Sequence, residues 1–303
     1  MKTPPEQRRV PAGRKKIPAH PSFLFLTLLT LAIFHTPLRS LLELSFRESL
    51  YSHIILVPAV SGYFFCLERK SMPFDGRPSF VAGAMVMVAG LILFLTVVDR
   101  GGGLEGNDRL SLMALAALVF WYGAFLWSYG AGAFKASLFP LLYLLFMIPL
   151  PSAVLAWLIH LLQAGSAEVA GFLFMLTGVP AMREGQVFHL PSLSIEVAEQ
   201  CSGIRSTLVL FISSIIAGHV FLRRGWKKVL LSLSVFPVSV VKNGLRIVTL
   251  ALLGEYVNET FLTNSLLHRN GGILFLGLAV LLLLPLLWVL ARTDMRASRA
   301  GKN

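Results

Sequence analysis

The residues able to do chemistry lie in the C-terminal third of the chain. Cys201 is followed by Ser202, Gly203 and Arg205. A thiol attacks a carbonyl only as the thiolate, and a free thiol with a pKa of about 8.5 is a few per cent ionised at neutral pH. A helix N-terminus and a nearby guanidinium both favour the anion. Cys201 has the first by position, because it opens an apolar stretch, and could gain the second from Arg205 or Arg246. Asn243 and Arg246 are spaced i, i+3 and so share a helix face. His268, followed by Arg269, Asn270, Gly271 and Gly272, can act as a general acid or base. A cysteine, a cationic arginine and a histidine supply a nucleophile, an oxyanion stabiliser and a proton shuttle, a set that suits acyl transfer at a peptide bond. Each residue also has a plainer reading. A lone cysteine is usually inert and buried, and an arginine at a membrane edge can simply snorkel to water. The second cysteine, Cys66, stands beside Glu68, Arg69 and Lys70 and is assigned to packing. No HExxH, Walker or GxSxG pattern occurs, and no metal or cofactor is expected.

These residues must be positioned by membrane helices. Of the 303 residues, 55% are hydrophobic and 14% charged, against about 25% charged in soluble domains. That excludes a disordered chain and makes a water-soluble domain a poor fit. Eight apolar stretches, roughly 21–38, 50–67, 79–98, 110–130, 136–157, 202–221, 229–253 and 271–291, are long enough to span about 30 Å of hydrocarbon. The first lacks a small-residue cleavage site and is read as a span rather than a signal peptide.

Basic residues orient the spans. The net charge of +12 sits in short clusters between apolar runs, which is a topology signal and not a nucleic-acid face. Eighteen Lys and Arg residues fall in the two tails, in the loops holding Arg69–Arg77 and Arg223–Lys228, and at Lys135. Six fall in the opposite loops, which carry eleven of the fifteen acids. Both termini are therefore expected in the cytoplasm. Residues 158–180 are apolar enough for a ninth span, but a ninth crossing would put the basic loop 223–228 and the basic C-terminal tail outside. They are read as an interfacial or re-entrant helix on the outer side. Residues 187–198 alternate around Pro191-Ser192 and predict a short β-hairpin on the outer side.

The expected fold is thus an all-α polytopic membrane protein of about eight transmembrane helices, with a short β-hairpin and an interfacial helix on the outer side. A basic tail (1–20) and a second one (292–303) flank a single transmembrane domain (21–291), whose outer segment is 158–200. The ionisable residues inside spans are Arg205, Lys242 and Arg246, each a functional candidate. Lys242 lies about 21 Å along its helix from Lys228 and Arg246 about 27 Å, which puts Arg246 at the outer edge.

EQCSGIRS at 199–206, NGLRI at 243–247 and His268 followed by RNGG resemble the exosortase/archaeosortase family. The resemblance runs over about 50–290 and is strongest over 183–275. It implies a transpeptidase-like cysteine enzyme of the prokaryotic cytoplasmic (inner) membrane. It also implies Cys201 as nucleophile, Arg246 as the catalytic arginine and His268 as the proton-transfer residue, with Ser202, Gly203, Arg205 and Asn243 in support. The implied partners are exported proteins with a C-terminal sorting signal: a short motif such as Pro-Glu-Pro, a transmembrane helix and a basic tail. The acceptor nucleophile stays open, and apart from the lipid bilayer no further partner is implied. Some members carry a further domain after the last span, which is not expected here.

Two other classes compete. A transporter or channel could line a polar path with Arg205, Lys242 and Arg246, but it should spread polar groups through the membrane depth, and here they concentrate toward the outer half. An acyltransferase could use His268 without the cysteine, and Cys201→Ala would then leave it active.

Overall fold

In hydrocarbon every backbone N–H and C=O must be satisfied within the chain, so an apolar run has little choice but to form a helix. The computed structural model describes residues 21–68, 78–199, 202–258 and 266–300, with side chains for all of these except 266–273 and 295–300. Among the described residues, seven helical stretches are long and apolar enough to cross a membrane: Ser49–Glu68, Phe80–Gly103, Gly106–Ala136, Ser152–Thr177, Ile204–Phe221, Gly225–Tyr256 and Leu274–Asp294. A bent pair at the start makes an eighth if counted as one span. The chain divides into two compact units, Met1–Pro151 and Ser152–Asn303.

In the first unit, the apolar stretch predicted at 21–38 breaks into α1 (Pro21–Ile33) and α2 (His35–Arg47), bent by 74°. The cause is Pro37, which has no N–H to offer the carbonyl of Ile33 and whose ring crowds it. A 3₁₀ segment, Ser49–Ile55, then leads into α3 (Leu56–Glu68). Cys66 is exposed on α3, so the packing role expected for it is not borne out. Helices α4 (Phe80–Arg100) and α5 (Gly106–Ala136) pack as a tight hairpin. At Gly123 the backbones touch, and an added Cβ would fall 2.6 Å from the Met87 nitrogen.

The stretch predicted as a fifth span, 136–157, is not one helix. Helix α6 (Leu138–Tyr143) and a 3₁₀ turn, Leu144–Met147, run back along α5 and stop before Pro149 and Pro151. A residue that precedes proline is pushed to extended backbone, as Ile148 is at ψ 122°. Ser111 Oγ donates to the Pro149 carbonyl at 2.8 Å and Asn107 Nδ2 to the Leu150 carbonyl at 2.7 Å. The chain therefore returns to the N-terminal end of α5.

The second unit holds the candidate residues. It opens with α7 (Ser152–Thr177), 26 residues without a proline. The helix expected separately at 158–180 is the C-terminal part of this longer one, which by length and composition could itself span. A small sheet follows, with order β1 (Met182–Glu184), β2 (Val187–His189) and β3 (Ser194–Glu196). The predicted hairpin is β2–β3, with Phe188 opposite Ile195. Strand β1 is additional. It pairs with β2 across a turn in which Gly185 takes φ +62°. Phe188, Leu190 and Val197 pack with Ala167, Ala170 and Phe174 of α7 and with Ile247, Val248 and Ala251 further along the chain.

Helices α8 (Ile204–Phe221), α9 (Gly225–Leu233), α10 (Val235–Tyr256) and α11 (Leu266–Ala300) complete the unit. At the α9 end, buried Lys227 reaches Asp294 at 3.0 Å, and Asp294 Oδ2 accepts the Arg223 backbone N–H at 2.7 Å. This ties the tail of α11 to the basic α8–α9 loop.

Candidate active site

The turn that enters α8 has a shape only some residues allow. Gly203, its N-cap, adopts φ +75° and ψ +14°, the left-handed region that costs an ordinary residue about 1–2 kcal/mol. Ser202 is buried, and its backbone N–H donates to the Glu199 carbonyl at 3.0 Å. The Gly203 carbonyl accepts from Ser206 Oγ and Thr207 Oγ1, both at 2.9 Å, as well as from the Thr207 N–H. The turn is thus held from the helix side by two hydroxyls.

Helix α10 supplies the opposing wall. Lys242 is only 3% exposed, and its ammonium donates to Ser206 Oγ at 2.6 Å. Asn243 is fully buried, and its Nδ2 donates to Ser166 Oγ of α7 at 3.1 Å. The two helices come this close because of Gly244, where a Cβ would lie 2.5 Å from a Val169 methyl. Both polar side chains converge on Gly203. A Cβ there would sit 3.1 Å from Lys242 Nζ and 3.2 Å from Asn243 Oδ1.

Arg246 lies one turn beyond Lys242 and is half-buried. Its Nε is buried with no hydrogen-bond partner among the described residues. Among those residues no carboxylate comes within ion-pair distance of Lys242 or Arg246. The site therefore concentrates positive charge, with the positive end of the α8 dipole added to two cations. No anion balances it among the described residues. A thiolate or a tetrahedral oxyanion would supply one.

The other expected residues stand differently. Arg205 is exposed in the first turn of α8 and is not among the buried groups that meet at Gly203. His268 lies in the first turn of α11, and its side chain is outside the described residues. Cys201 also lies outside the described residues, one peptide unit before Ser202.

The sequence reading did not single out Ser166, Gln163 or Glu255, and it met Ser206 as the last residue of EQCSGIRS without giving it a role. Gln163 Nε2 donates to the Val197 carbonyl at 2.6 Å and fixes the end of the sheet segment to α7. Glu255 accepts the Ser192 N–H at 3.1 Å and anchors the β2–β3 connection to α10. The available signal was polar residues within apolar helical runs.

A family model described as Transmembrane exosortase (Exosortase_EpsH) matches residues 45–285, most of the chain and all the motifs named above. No curated protein and no solved structure matches it.

Proposed function

The chain belongs to the transmembrane exosortase family, and from that premise, multi-pass membrane proteins that sort other proteins by transpeptidation, we propose a specific reaction for it. It is a membrane-embedded cysteine peptidase or transpeptidase that cuts C-terminal sorting signals of exported proteins at the outer face of the cytoplasmic (inner) membrane. Both termini lie in the cytoplasm. The signal consists of a short motif of the Pro-Glu-Pro kind, a transmembrane helix and a basic tail.

In this reading the Cys201 thiolate attacks the scissile carbonyl, and the oxygen of the tetrahedral intermediate takes the negative charge. Arg246 donates to that oxygen through its planar fork. His268 protonates the leaving amine as the C–N bond breaks, which leaves an acyl thioester on Cys201. An acceptor amine or water then attacks the thioester and gives up a proton to His268, and the C–S bond breaks to release the Cys201 thiolate. Asn243 and Gly203 shape the turn beside the nucleophile, and Ser202 fills the buried position after it. The sheet of residues 182–196, held by Gln163 and Glu255, steadies the extended motif.

The observation that carries this reading is the buried Nε of Arg246, without a hydrogen-bond partner among the described residues, one turn along α10 from the Lys242 and Asn243 side chains that meet the left-handed turn at Gly203. A transporter path through Arg205, Lys242 and Arg246 fits less well, because Lys242 is packed against Ser206 while Arg205 points out of the cluster. The test is co-expression of a candidate substrate with wild-type protein or with Cys201→Ala. Wild type should release a substrate shortened just outside its helix, and the variant should leave it full-length. Equal processing by both, or a cut on the cytoplasmic side, refutes the proposal.

A further inference from the structure

Lys242 is a buried cation that the reaction above does not use. Its three N–H donors meet one hydroxyl, Ser206 Oγ at 2.6 Å, and that hydroxyl in turn donates to the Gly203 carbonyl at 2.9 Å. Lys242 Nζ also lies 3.1 Å from the point where a Gly203 side chain would begin. The ammonium therefore braces both the backbone and the open side of the turn that follows Cys201. A lysine in an apolar helix is costly to bury, and here no carboxylate among the described residues repays the cost.

We propose that Lys242 is a positioning residue for the Cys201 thiol: held by Ser206 against the left-handed turn at Gly203, its ammonium fixes the turn and supplies the charge that favours the thiolate. The proposal rests on the reading of Cys201 as nucleophile. It makes a division of labour in the site, with Arg246 assigned to the substrate oxygen and Lys242 to the attacking sulfur.

Of the described carboxylates, Glu199 lies exposed two residues before Cys201, and Glu255 of α10 accepts the Ser192 N–H at 3.1 Å. On its own helix, Arg246 is the charged neighbour that acts on Lys242. From α8 come Ser206 and Thr207, with Arg205 exposed and His219 at the far end. From α7 come Ser166 and Gln163, with His160 exposed and Glu168 engaged by Arg183 at 2.9 Å. From α9, Lys227 is engaged by Asp294, and Lys228 lies beside it. On α11 the described charged side chains, Arg292 and Asp294, are near its C-terminal end, and the side chains of His268 and Arg269 are outside the described residues.

The experiment measures the alkylation rate of Cys201 by iodoacetamide against pH, in detergent-solubilised full-length protein carrying Cys66→Ser. The rate follows the thiolate fraction. Removing a nearby cation makes the thiolate harder to form, so the midpoint should rise. Lys242→Met is expected to move it upward by about one pH unit and to lower kcat for substrate cleavage about tenfold, with KM within about twofold. An unchanged midpoint in Lys242→Met overturns the proposal, whatever happens to kcat. Should Lys242→Met fail to fold, Ser206→Ala keeps the ammonium and removes its anchor. A smaller upward shift supports the proposal, and an unchanged midpoint overturns it. Alkylation reads the thiol alone, so it is separable from the reaction assignment. If Cys201→Ala still processed substrate, the nucleophile reading would fail while the midpoint still reported on Lys242.

Discussion

Gly203→Ala is the sharpest perturbation of the site. Two costs arise, and they can be separated. The first is backbone strain: at φ +75° an alanine pays about 1–2 kcal/mol. The second is contact. The new methyl would lie 3.1 Å from Lys242 Nζ and 3.2 Å from Asn243 Oδ1, tighter than ordinary van der Waals separation by several tenths of an ångström. Both neighbours are buried, and Asn243 is also tied to Ser166, so the adjustment falls on the turn or on Lys242. A displacement on the order of 1 Å near a reacting group can cost about a hundredfold in rate.

Gly178 provides the control, because it has nearly the same backbone, φ +73°, and nothing within 4 Å of an added Cβ. In a thermal melt of detergent-solubilised protein Gly178→Ala should therefore lose about 1–2 kcal/mol, and Gly203→Ala at least as much, because the contact adds to the strain. Only Gly203→Ala should lose processing, by about a hundredfold. Processing is scored by the ratio of shortened to full-length substrate on co-expression. If Gly203→Ala processed within twofold of wild type, the turn would not be part of the machinery. If Gly178→Ala lost as much activity, strain alone would explain the effect and the contact argument would fail.

Three further outcomes are expected. Arg246→Lys should lose most processing while the protein stays folded, because an ammonium cannot present the planar fork of donors; retained processing would reduce Arg246 to an interface anchor. Asp294→Asn should lower thermal stability clearly more than Arg39→Ala, since buried Lys227 would lose its carboxylate partner and keep neutral acceptors such as Leu290 O and Thr293 Oγ1. The Arg39–Glu43 pair is largely exposed, and its loss should cost at most about 1 kcal/mol. Reporter fusions after Lys135 and Lys228 should report cytoplasm and fusions within 184–198 the outside, as the basic-residue asymmetry requires; a cytoplasmic signal from 184–198 would reverse the orientation of the site.

The helical, many-span architecture was legible because the bilayer leaves apolar runs one solution. The breaks were legible in principle too, and they were under-weighted. Pro37 bends the first stretch, and Pro149 with Pro151 separates α6 from α7, so the long helix begins at Ser152 instead of ending near 157. Strand β1 was missed because Met182-Arg183-Glu184 has no alternation; its one signal is the Gly185-Gln186 turn. Arg205 misled by proximity: four residues after Cys201 in sequence, it points out of the cluster. Ser206 and Ser166 were invisible for another reason. A hydroxyl in a helix usually bonds a carbonyl three or four residues back, as Thr30 and Ser214 do here, so it carries no message. Ser206 makes that same local bond to Gly203 and in addition accepts from Lys242, and only the packing of α8 on α10 reveals the second contact.

In the proposed reaction the site lies at the outer boundary of the membrane, and that depth meets two demands that conflict elsewhere. A peptide bond inside the bilayer is locked in a helix, because its N–H and C=O have no other partners, and a helical carbonyl is closed to attack from most directions. The scissile segment must therefore leave the hydrocarbon before it can be opened. In bulk water, however, the charges of Lys242 and Arg246 would be screened to about 1 kcal/mol at 4 Å. At the boundary the substrate backbone can unwind, with water or the β3 edge to satisfy it. Lys242 meanwhile stays buried against Ser206, with Arg246 one turn along α10, where their fields are stronger than in water. Holding buried Lys242 and half-buried Arg246 side by side, with no carboxylate among the described residues in ion-pair distance, costs stability in the resting protein. The same two cations favour whatever negative charge appears beside them, and the charge that appears during acyl transfer is largest at the tetrahedral intermediate. The cost is thus borne in every state, while the gain is greatest in the one state that limits the rate.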